Sequence, residues 1–238
     1  MTGSKNALVV GNTDGIGLAL THRLLADGYS VTGISRRASS VVHPLYTHIV
    51  QDVTAPEYTD VLRAYAAQNI SCDICVYCAG VGDTLPTEKS ALAAALVQET
   101  RTMEINLMAA VRTTEIITAK MMAQGQGHFI GLGSVMDAMW APTAPAYAAS
   151  KAGIARYWES LALALKDTGV HISNIRFGFV DTKMAKAPVR PFLMTPEKAA
   201  DFITQVMRRP RPRATCPRVM GVLVWILSLP LRLRLLPG

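Results

Sequence analysis

Residues 5–17 constrain the fold most. A short apolar run, Lys-Asn-Ala-Leu-Val-Val, passes directly into Gly11-Asn-Thr-Asp-Gly15-Ile-Gly17, and a helical pattern carrying Leu18, Leu20, Leu24 and Leu25 follows, closing at Gly28. A strand that must turn into a helix within a few residues needs backbone freedom at the turn. Gly11 permits the tight bend, while Gly15 and Gly17 let backbone and helix come close to whatever the turn holds. The first helical turn offers unpaired amides and the positive end of the helix dipole, which together suit phosphate.

The rest of the chain repeats this rhythm. Strands are expected at residues 30–35, 46–53, up to Ala79-Gly80, 127–133 and 170–176. Helices are expected at residues 57–68, at 92–124 with a break near Gln98, and from about Tyr147 to near Gly169. Thr195-Pro196 reads as an N-cap with proline at the first helical position, and a short strand is expected near Ala214. Strands alternating with helices predict an α/β fold: a doubly wound (Rossmann) parallel sheet with helices on both faces. At 238 residues, half of them hydrophobic, one domain is expected over residues 1–207, with 208–238 as a C-terminal extension. Ligands on such sheets bind beyond the carboxyl ends of the strands, so Gly11, Arg36, Asp52, Gly80 and Ser134 should line one crevice.

In that context Gly11, Thr13, Asp14, Gly15, Ile16 and Gly17 form a dinucleotide-binding turn. Ser35 ends the second strand, where a carboxylate would bind the ribose hydroxyls of NAD, and Arg36 and Arg37 follow. A 2′-phosphate would be welcomed there, so NADP(H) is expected, with NAD(H) as the alternative. Asp14 argues the other way, and two solvated surface arginines are the plain reading. Asp52, followed by Val53, could accept the adenine amino group.

Residues 134–151 carry the chemistry. Ser134 ends a strand, and Tyr147 and Lys151, four residues apart, share one face of a helix. A phenol of pKa about 10 transfers protons poorly near neutrality, and a nearby ammonium favours its ionised form. A serine on the adjoining strand end could hold the reacting oxygen, giving a proton-transfer site without metal or covalent nucleophile. Asn106, in an apolar helical stretch, is either a satisfied core amide or, through backbone or amide, the holder of a water linked to Lys151.

Charge and cysteine usage exclude other classes. The net charge is +7, yet residues 208–238 contain seven arginines and no acid, which leaves seventeen basic and seventeen acidic residues elsewhere. A neutral body argues against nucleic acid as a partner. Cys72, Cys75 and Cys78 have the spacing of a cluster ligand, but they lie in a buried-strand pattern that sends Cys75 and Cys78 to opposite faces, so no metal is expected. Residues 219–231 carry no charge, are too few to span a bilayer and meet Pro230 near their end, where a helix should stop. They are expected either to cover the cleft or a subunit partner, or to make peripheral membrane contact, with arginines on anionic headgroups and Trp225 in the interface. With no spanning segment or signal peptide in the sequence, the expected location is cytoplasmic, peripheral to the membrane in the second reading.

With these residues in place the chain resembles the short-chain dehydrogenase/reductase family in its compact form, over residues 5–207. The resemblance rests on Gly-x-x-x-Gly-x-Gly (11–17), Asp52-Val53, Ala79-Gly80, Asn106, Ser134, Tyr147-x-x-x-Lys151 and Gly178-Phe-Val-Asp-Thr182. It implies that Tyr147 is the general acid in reduction and the base in oxidation, that Lys151 lowers its pKa and binds the nicotinamide ribose, and that Ser134 holds the substrate oxygen. It also implies that Asn106 supports the proton relay, while Val180 and Thr182, beside Gly178, hold the carboxamide end of the cofactor. Substrate would be a small carbonyl or alcohol, and the assembly a homodimer or homotetramer. Cys78 and Phe177 depart from the family's usual Asn and Pro. Met136, Met139, Trp140, Phe179, Met184, Phe192 and Met194 make the surrounding loops apolar, favouring a hydrophobic substrate. The competing reading is an NADP-binding sensor or scaffold without turnover.

Overall fold

A computed structural model of the chain describes residues 5–86, 88–185 and 189–234. Seven strands form one sheet: β1 (Asn6–Val10), β2 (Ser30–Ser35), β3 (Tyr46–Val50), β4 (Ile74–Tyr77), β5 (Gly127–Ser134), β6 (Val170–Phe177) and β7 (Arg213–Cys216). Their spatial order is β3-β2-β1-β4-β5-β6-β7, and every pair is parallel. The direction of winding reverses between β1 and β4, so the crevice that such a switch opens lies beyond Val10 and Tyr77.

Strands buried on both faces read as apolar runs because each face has its own helical layer. Along β1, Leu8 and Val10 enter one core, while Ala7 and Val9 enter the other. The first core lies under α2 (Tyr58–Ala66), α5 (Ala109–Gln124) and α6 (Pro145–Ala164), with Tyr58, Ile117, Phe129 and Trp158 buried in it. The second lies under α1 (Gly15–Ala26) and α7 (Pro196–Arg208), with Leu20, Leu24, Ile203 and Val206. Cys72 and Cys75 pack in the first core and Cys78 against the second, all as free thiols. Among the described residues no group of three or more His, Cys, Asp or Glu is placed to hold a metal.

The long helical stretch is broken at Gln98, as the sequence suggests, into α3 (Lys89–Val97) and α4 (Glu99–Met103). A π-turn at Glu104–Met108, which the sequence does not announce, then joins α4 to α5. Several boundaries differ from expectation: β4 ends at Tyr77, α6 at Ala164, and the long helical stretch begins at Lys89. β3 ends at Val50, so Asp52 and Val53 lie in the following turn, where the Asp52 carboxylate bonds the Thr54 backbone instead of a strand continuing. The C-terminal helix α8 (Arg218–Arg234) runs on past Pro230; a proline deletes one helical hydrogen bond and need not end the helix. The side chains of Trp225, Arg232 and Arg234, which the membrane reading invokes, lie outside the described residues.

Candidate active site

The glycine turn is built by close approach. Gly11 has φ +86°, and a Cβ there would sit 2.6 Å from the Ala79 amide nitrogen, while a Cβ on Gly17 would lie 2.0 Å from the Gly11 carbonyl oxygen. Only hydrogen fits at either place, so turn, first helical turn and the loop after β4 share one tight junction. Asp14 caps α1, its Oδ1 accepting from Gly15 N at 2.9 Å. Lys183 donates to Asp14 Oδ2 at 2.7 Å and Arg37 at 3.3 Å. The Lys183 contact, ahead of the Gly15 and Arg37 contacts, holds the carboxyl below its usual range. The carboxylate weighed above against a 2′-phosphate is thus matched by two cations. The Thr182 methyl lies 2.9 Å from where a Gly15 Cβ would be, so the loop after β6 closes on the turn. Ile16 packs toward the second core, which leaves its amide for a ligand; Thr13 is partly exposed.

Beside the turn, Ser35 Oγ donates to the Arg37 carbonyl at 3.1 Å. His48 Nε2 meets the same oxygen at 2.9 Å, and Nδ1 meets the Tyr46 hydroxyl at 2.8 Å. The carbonyl can only accept, so His48 carries its proton on Nε2 and Tyr46 donates to Nδ1. Tyr46 in turn accepts from buried Asn12 Nδ2. This chain of bonds sets the backbone that presents Arg36 and Arg37, and the lone residue types Asn12, Tyr46 and His48 gave no signal of it in sequence. Asp52 bonds the Thr54 amide and hydroxyl through Oδ1, leaving Oδ2 3.9 Å from Arg101. Val53 is buried in the first core, so only its backbone can face a ligand. The hydrogen-only cradle, the helix N-terminus and the cations at its rim together fit a dinucleotide phosphate.

Across the switch point, Ser134, Tyr147, Lys151 and Asn106 come together. The Ser134 hydroxyl, which accepts from Met136 N at 3.2 Å, lies close enough to the Tyr147 phenol to pull its pKa down. Lys151 is buried, its Nζ 5.8 Å from the centre of the Tyr147 ring and donating to the Leu132 carbonyl at 2.9 Å. A Cβ on Gly80 would be 3.4 Å from Asn106 Oδ1 and 3.9 Å from Lys151 Nζ, so the loop after β4 passes directly over both. Both atoms of the Asn106 amide are occupied, accepting from Val81 N and donating to Val81 O, each at 2.9 Å, and donating to Ser150 Oγ at 3.1 Å. These bonds satisfy the amide as a core Asn requires, and a water could still meet Asn106 at the second lone pair of Oδ1 or at its backbone carbonyl.

The electrostatics depart from what the Tyr-x-x-x-Lys pairing alone predicts. Burial raises the Tyr147 pKa; the Ser134 hydroxyl pulls it back and Asp137 adds to the rise. Burial also pushes Lys151 down to about 8, against opposing pulls from Cys78 and Asp137. Desolvation therefore outweighs the ammonium in this pocket, because both groups must ionise in the same poorly solvated space. A phenol that keeps its proton near neutrality is the form a general acid needs. Cys78, pushed up to about 12 by burial, is a neutral thiol beside Lys151.

Three supports were not legible in sequence, and a fourth, Met184, was read only as an apolar loop residue. The N-terminus of α6 has no cap of its own from Ala144; Glu99 of α4 supplies one, Oε2 accepting from Ala146 N at 2.8 Å. The 3-10 turn Val135–Ala138 after Ser134 is held by a nearly buried pair, Arg176 Nε donating to Asp137 Oδ2 at 2.6 Å. Ser150 bridges Asn106 and the Tyr147 carbonyl. Met184 Cγ lies 3.0 Å from a Gly82 Cβ position that is itself 3.6 Å from Tyr147 Cε2, so it forms an apolar cover. Of the other loop residues, Met139 and Phe179 pack under α8 and Met194 against the second core, whereas Trp140 and Phe192 are exposed. Val180 is buried, and Gly178 lies against Pro217 and Met220. A separate cavity of about 630 Å³ opens beside the starts of the strands, lined by Lys5, Tyr29, His128, His171 and Arg208, and contains none of these site residues.

Comparison with known proteins bears on this arrangement. The family model for short chain dehydrogenase matches residues 5–190. A 3-oxoacyl-[acyl-carrier-protein] reductase of Vibrio cholerae is 30% identical over 234 residues, covering 95% of this chain and 90% of that protein. A 3-oxoacyl-[acyl-carrier-protein] reductase of Mycobacterium avium is 30% identical over 190 residues, covering 77% and 70%. Among solved structures, a short chain dehydrogenase from Burkholderia cenocepacia in complex with NADP superposes with a TM-score of 0.83 at 20% identity, covering 99% of this chain and 98% of that one.

Proposed function

The chain belongs to the short chain dehydrogenase family of oxidoreductases, and on that premise we propose that it is an NADP(H)-dependent enzyme interconverting a hydrophobic ketone or aldehyde and its alcohol, with Tyr147 as general acid and base. The observation that carries the reading is the meeting of three side chains in one pocket: buried Lys151 has its Nζ 5.8 Å from the centre of the Tyr147 ring, and the Ser134 hydroxyl is near enough to that phenol to lower its pKa. When bound, the nicotinamide supplies or takes up the hydride. Ser134 can hold the substrate oxygen while the Tyr147 phenol, protonated at neutral pH, donates to it in reduction. Lys151 stabilises the phenolate left behind, and a route by way of the Asn106 backbone would restore the proton. Gly11, Gly15, Gly17 and the first-turn amides of α1 would hold the pyrophosphate, with Thr182 and Val180 toward the nicotinamide end. The intact Ser-Tyr-Lys set supports turnover over a sensor or scaffold role.

Preference for NADP(H) is supported by Ser35 in place of a carboxylate, by exposed Arg36 and Arg37, and by the two cations that offset Asp14. The Burkholderia relative was solved with NADP. Apolar Trp140, Met184 and Phe192 on the rim favour a hydrophobic substrate over a phosphorylated sugar. The family resemblance makes a homodimer or homotetramer the expected assembly. The test is turnover of a panel of hydrophobic ketones with NADPH and with NADH. Tyr147→Phe should lower kcat by a factor of about 100 to 10,000 while leaving NADPH affinity nearly unchanged. A variant that turned over normally would remove Tyr147 from the chemistry.

A further inference from the structure

The described side chains of α8 show two apolar faces, one packed and one exposed. Met220 and Val224 are buried against Val135, with Ala138, Met139 and Phe179 around them. That contact fastens the helix to the turn after Ser134 and to the loop after β6, both at the rim of the site. On the other side Val219, Val222 and Ile226 are 48%, 59% and 52% exposed. They fall three and four residues apart and so form one stripe along the helix. Leu227, 50% exposed, lies beyond the last buried side chain described on the helix.

Charge says what this face suits. Exposed Arg218 opens the helix, Arg232 and Arg234 belong to its last turn, and no acidic residue follows Asp201. The body is neutral in balance, and the helix bearing the bare apolar stripe carries three of the seven arginines that make up the positive excess, with no acidic residue among its seventeen. A second copy on this face would bring together two helices that each carry three arginines and no acid, like charge meeting like. An anionic bilayer surface offers the complement to both features, hydrocarbon for the stripe and phosphate for the arginines. Among the described residues no helix is long and apolar enough to cross a membrane, so the geometry is that of a helix lying on one.

We infer that α8 docks the protein onto an anionic lipid surface through Val219, Val222 and Ile226. The docked helix sets the rim of the site at the bilayer. Resting on the function proposed above, the substrate class that this position serves is a membrane-dissolved carbonyl or alcohol, reached without passage through water.

Flotation of the full chain with phosphatidylcholine vesicles, with and without phosphatidylglycerol, tests the docking. The protein should rise with the anionic vesicles at low salt and be released by high salt. Val222→Glu/Ile226→Glu, two exposed positions, should lower partition by about tenfold or more with an unchanged melting temperature. Light scattering should give wild type and variant the same mass in solution. Failure of the wild type to float at low salt, partition unaffected by the double substitution, or a smaller assembly in the variant would each overturn the inference, the last by making the stripe a self-interface. Turnover of a water-soluble ketone with NADPH reports separately on the enzyme: both proteins should retain it equally, and its absence with flotation intact would sink the proposed activity and leave the docking standing.

Discussion

Lys151 is asked to stay charged in a place that penalises charge. Burial brings its pKa to about 8, whereas Tyr147 is shifted upward from the ordinary phenol value. Of the two, the ammonium is therefore the group that titrates first as pH rises. Below about 8 it is charged and can stabilise the phenolate, and above that it empties. Reduction of a ketone should accordingly hold constant in the neutral range and fall as pH rises through about 8, an alkaline limb in kcat/KM that the pH profile measures directly. A limb appearing only near the ordinary pKa of tyrosine would show the phenol to control it instead. At the other end of the site, Ser35→Asp should shift the NADPH/NADH preference toward NADH by about tenfold or more, since a carboxylate there repels a 2′-phosphate. At this scale the sequence placed Ser134, Tyr147 and Lys151 as neighbours, as the structure does, because strand ends and helical spacing bring them to one place. It missed the sign of the tyrosine shift, since burial is a property of the surroundings and not of the Tyr-x-x-x-Lys spacing.

Elements that place these groups hold one another by their ends. α7 has its own cap, Thr195 accepting from Lys198 N, and Thr195-Pro196-Glu197 advertises it in sequence. α6 carries Tyr147 and Lys151 but begins Ala144-Pro145-Ala146 with no polar side chain at the cap, and Glu99, 47 residues earlier, fills the gap. Glu99→Ala should lower stability by about 1 kcal/mol, read from denaturant midpoints, and reduce kcat by loosening the start of the helix. Glu99→Gln keeps an acceptor oxygen and should restore most of both. No difference between the two variants would reduce Glu99 to a surface contact. The π-turn at Glu104–Met108 belongs to the same class of feature: it presents Asn106 to Val81 and Ser150, and nothing in Met-Glu-Ile-Asn-Leu-Met distinguishes it from ordinary helix.

Across the whole molecule, two cores share one sheet, and in the first of them a large side chain lies directly against β5. A Cβ on Gly131 would meet the Trp158 ring at 2.2 Å. Gly131→Ala should cost roughly 2 to 3 kcal/mol, measured by thermal or urea unfolding, as overpacking forces Trp158 from its place. His128 sits at the start of β5, buried, with its ring bonded to Ser173 Oγ at 2.8 Å. Burial, followed by the nearby His171, lowers its pKa to about 3. The unfolded chain takes up this proton below about 6.5 while the folded one does not, so stability is complete above 6.5 and declines as pH falls toward 3. His128→Gln should flatten that decline, worth about 2 kcal/mol at pH 5; an unchanged slope of urea midpoint against pH would place the titration elsewhere.

The alternation of apolar runs, glycine turns and helical stripes by itself determined the α/β class, the parallel sheet and the edge at which Gly11, Ser35, Gly80 and Ser134 gather. Those are consequences of local geometry: strands buried on both faces must be apolar, and helical crossovers make successive strands parallel, which puts their carboxyl ends at one edge. Only the tertiary structure decided which partners those residues meet. It paired Asp14 with Lys183 from 169 positions away, used up the Asn106 amide on Val81 and Ser150, and laid α8 against the turn after Ser134. Such contacts join residues distant in the chain, so no local pattern encodes them, and they set the desolvation and the charge balance on which the chemistry rests.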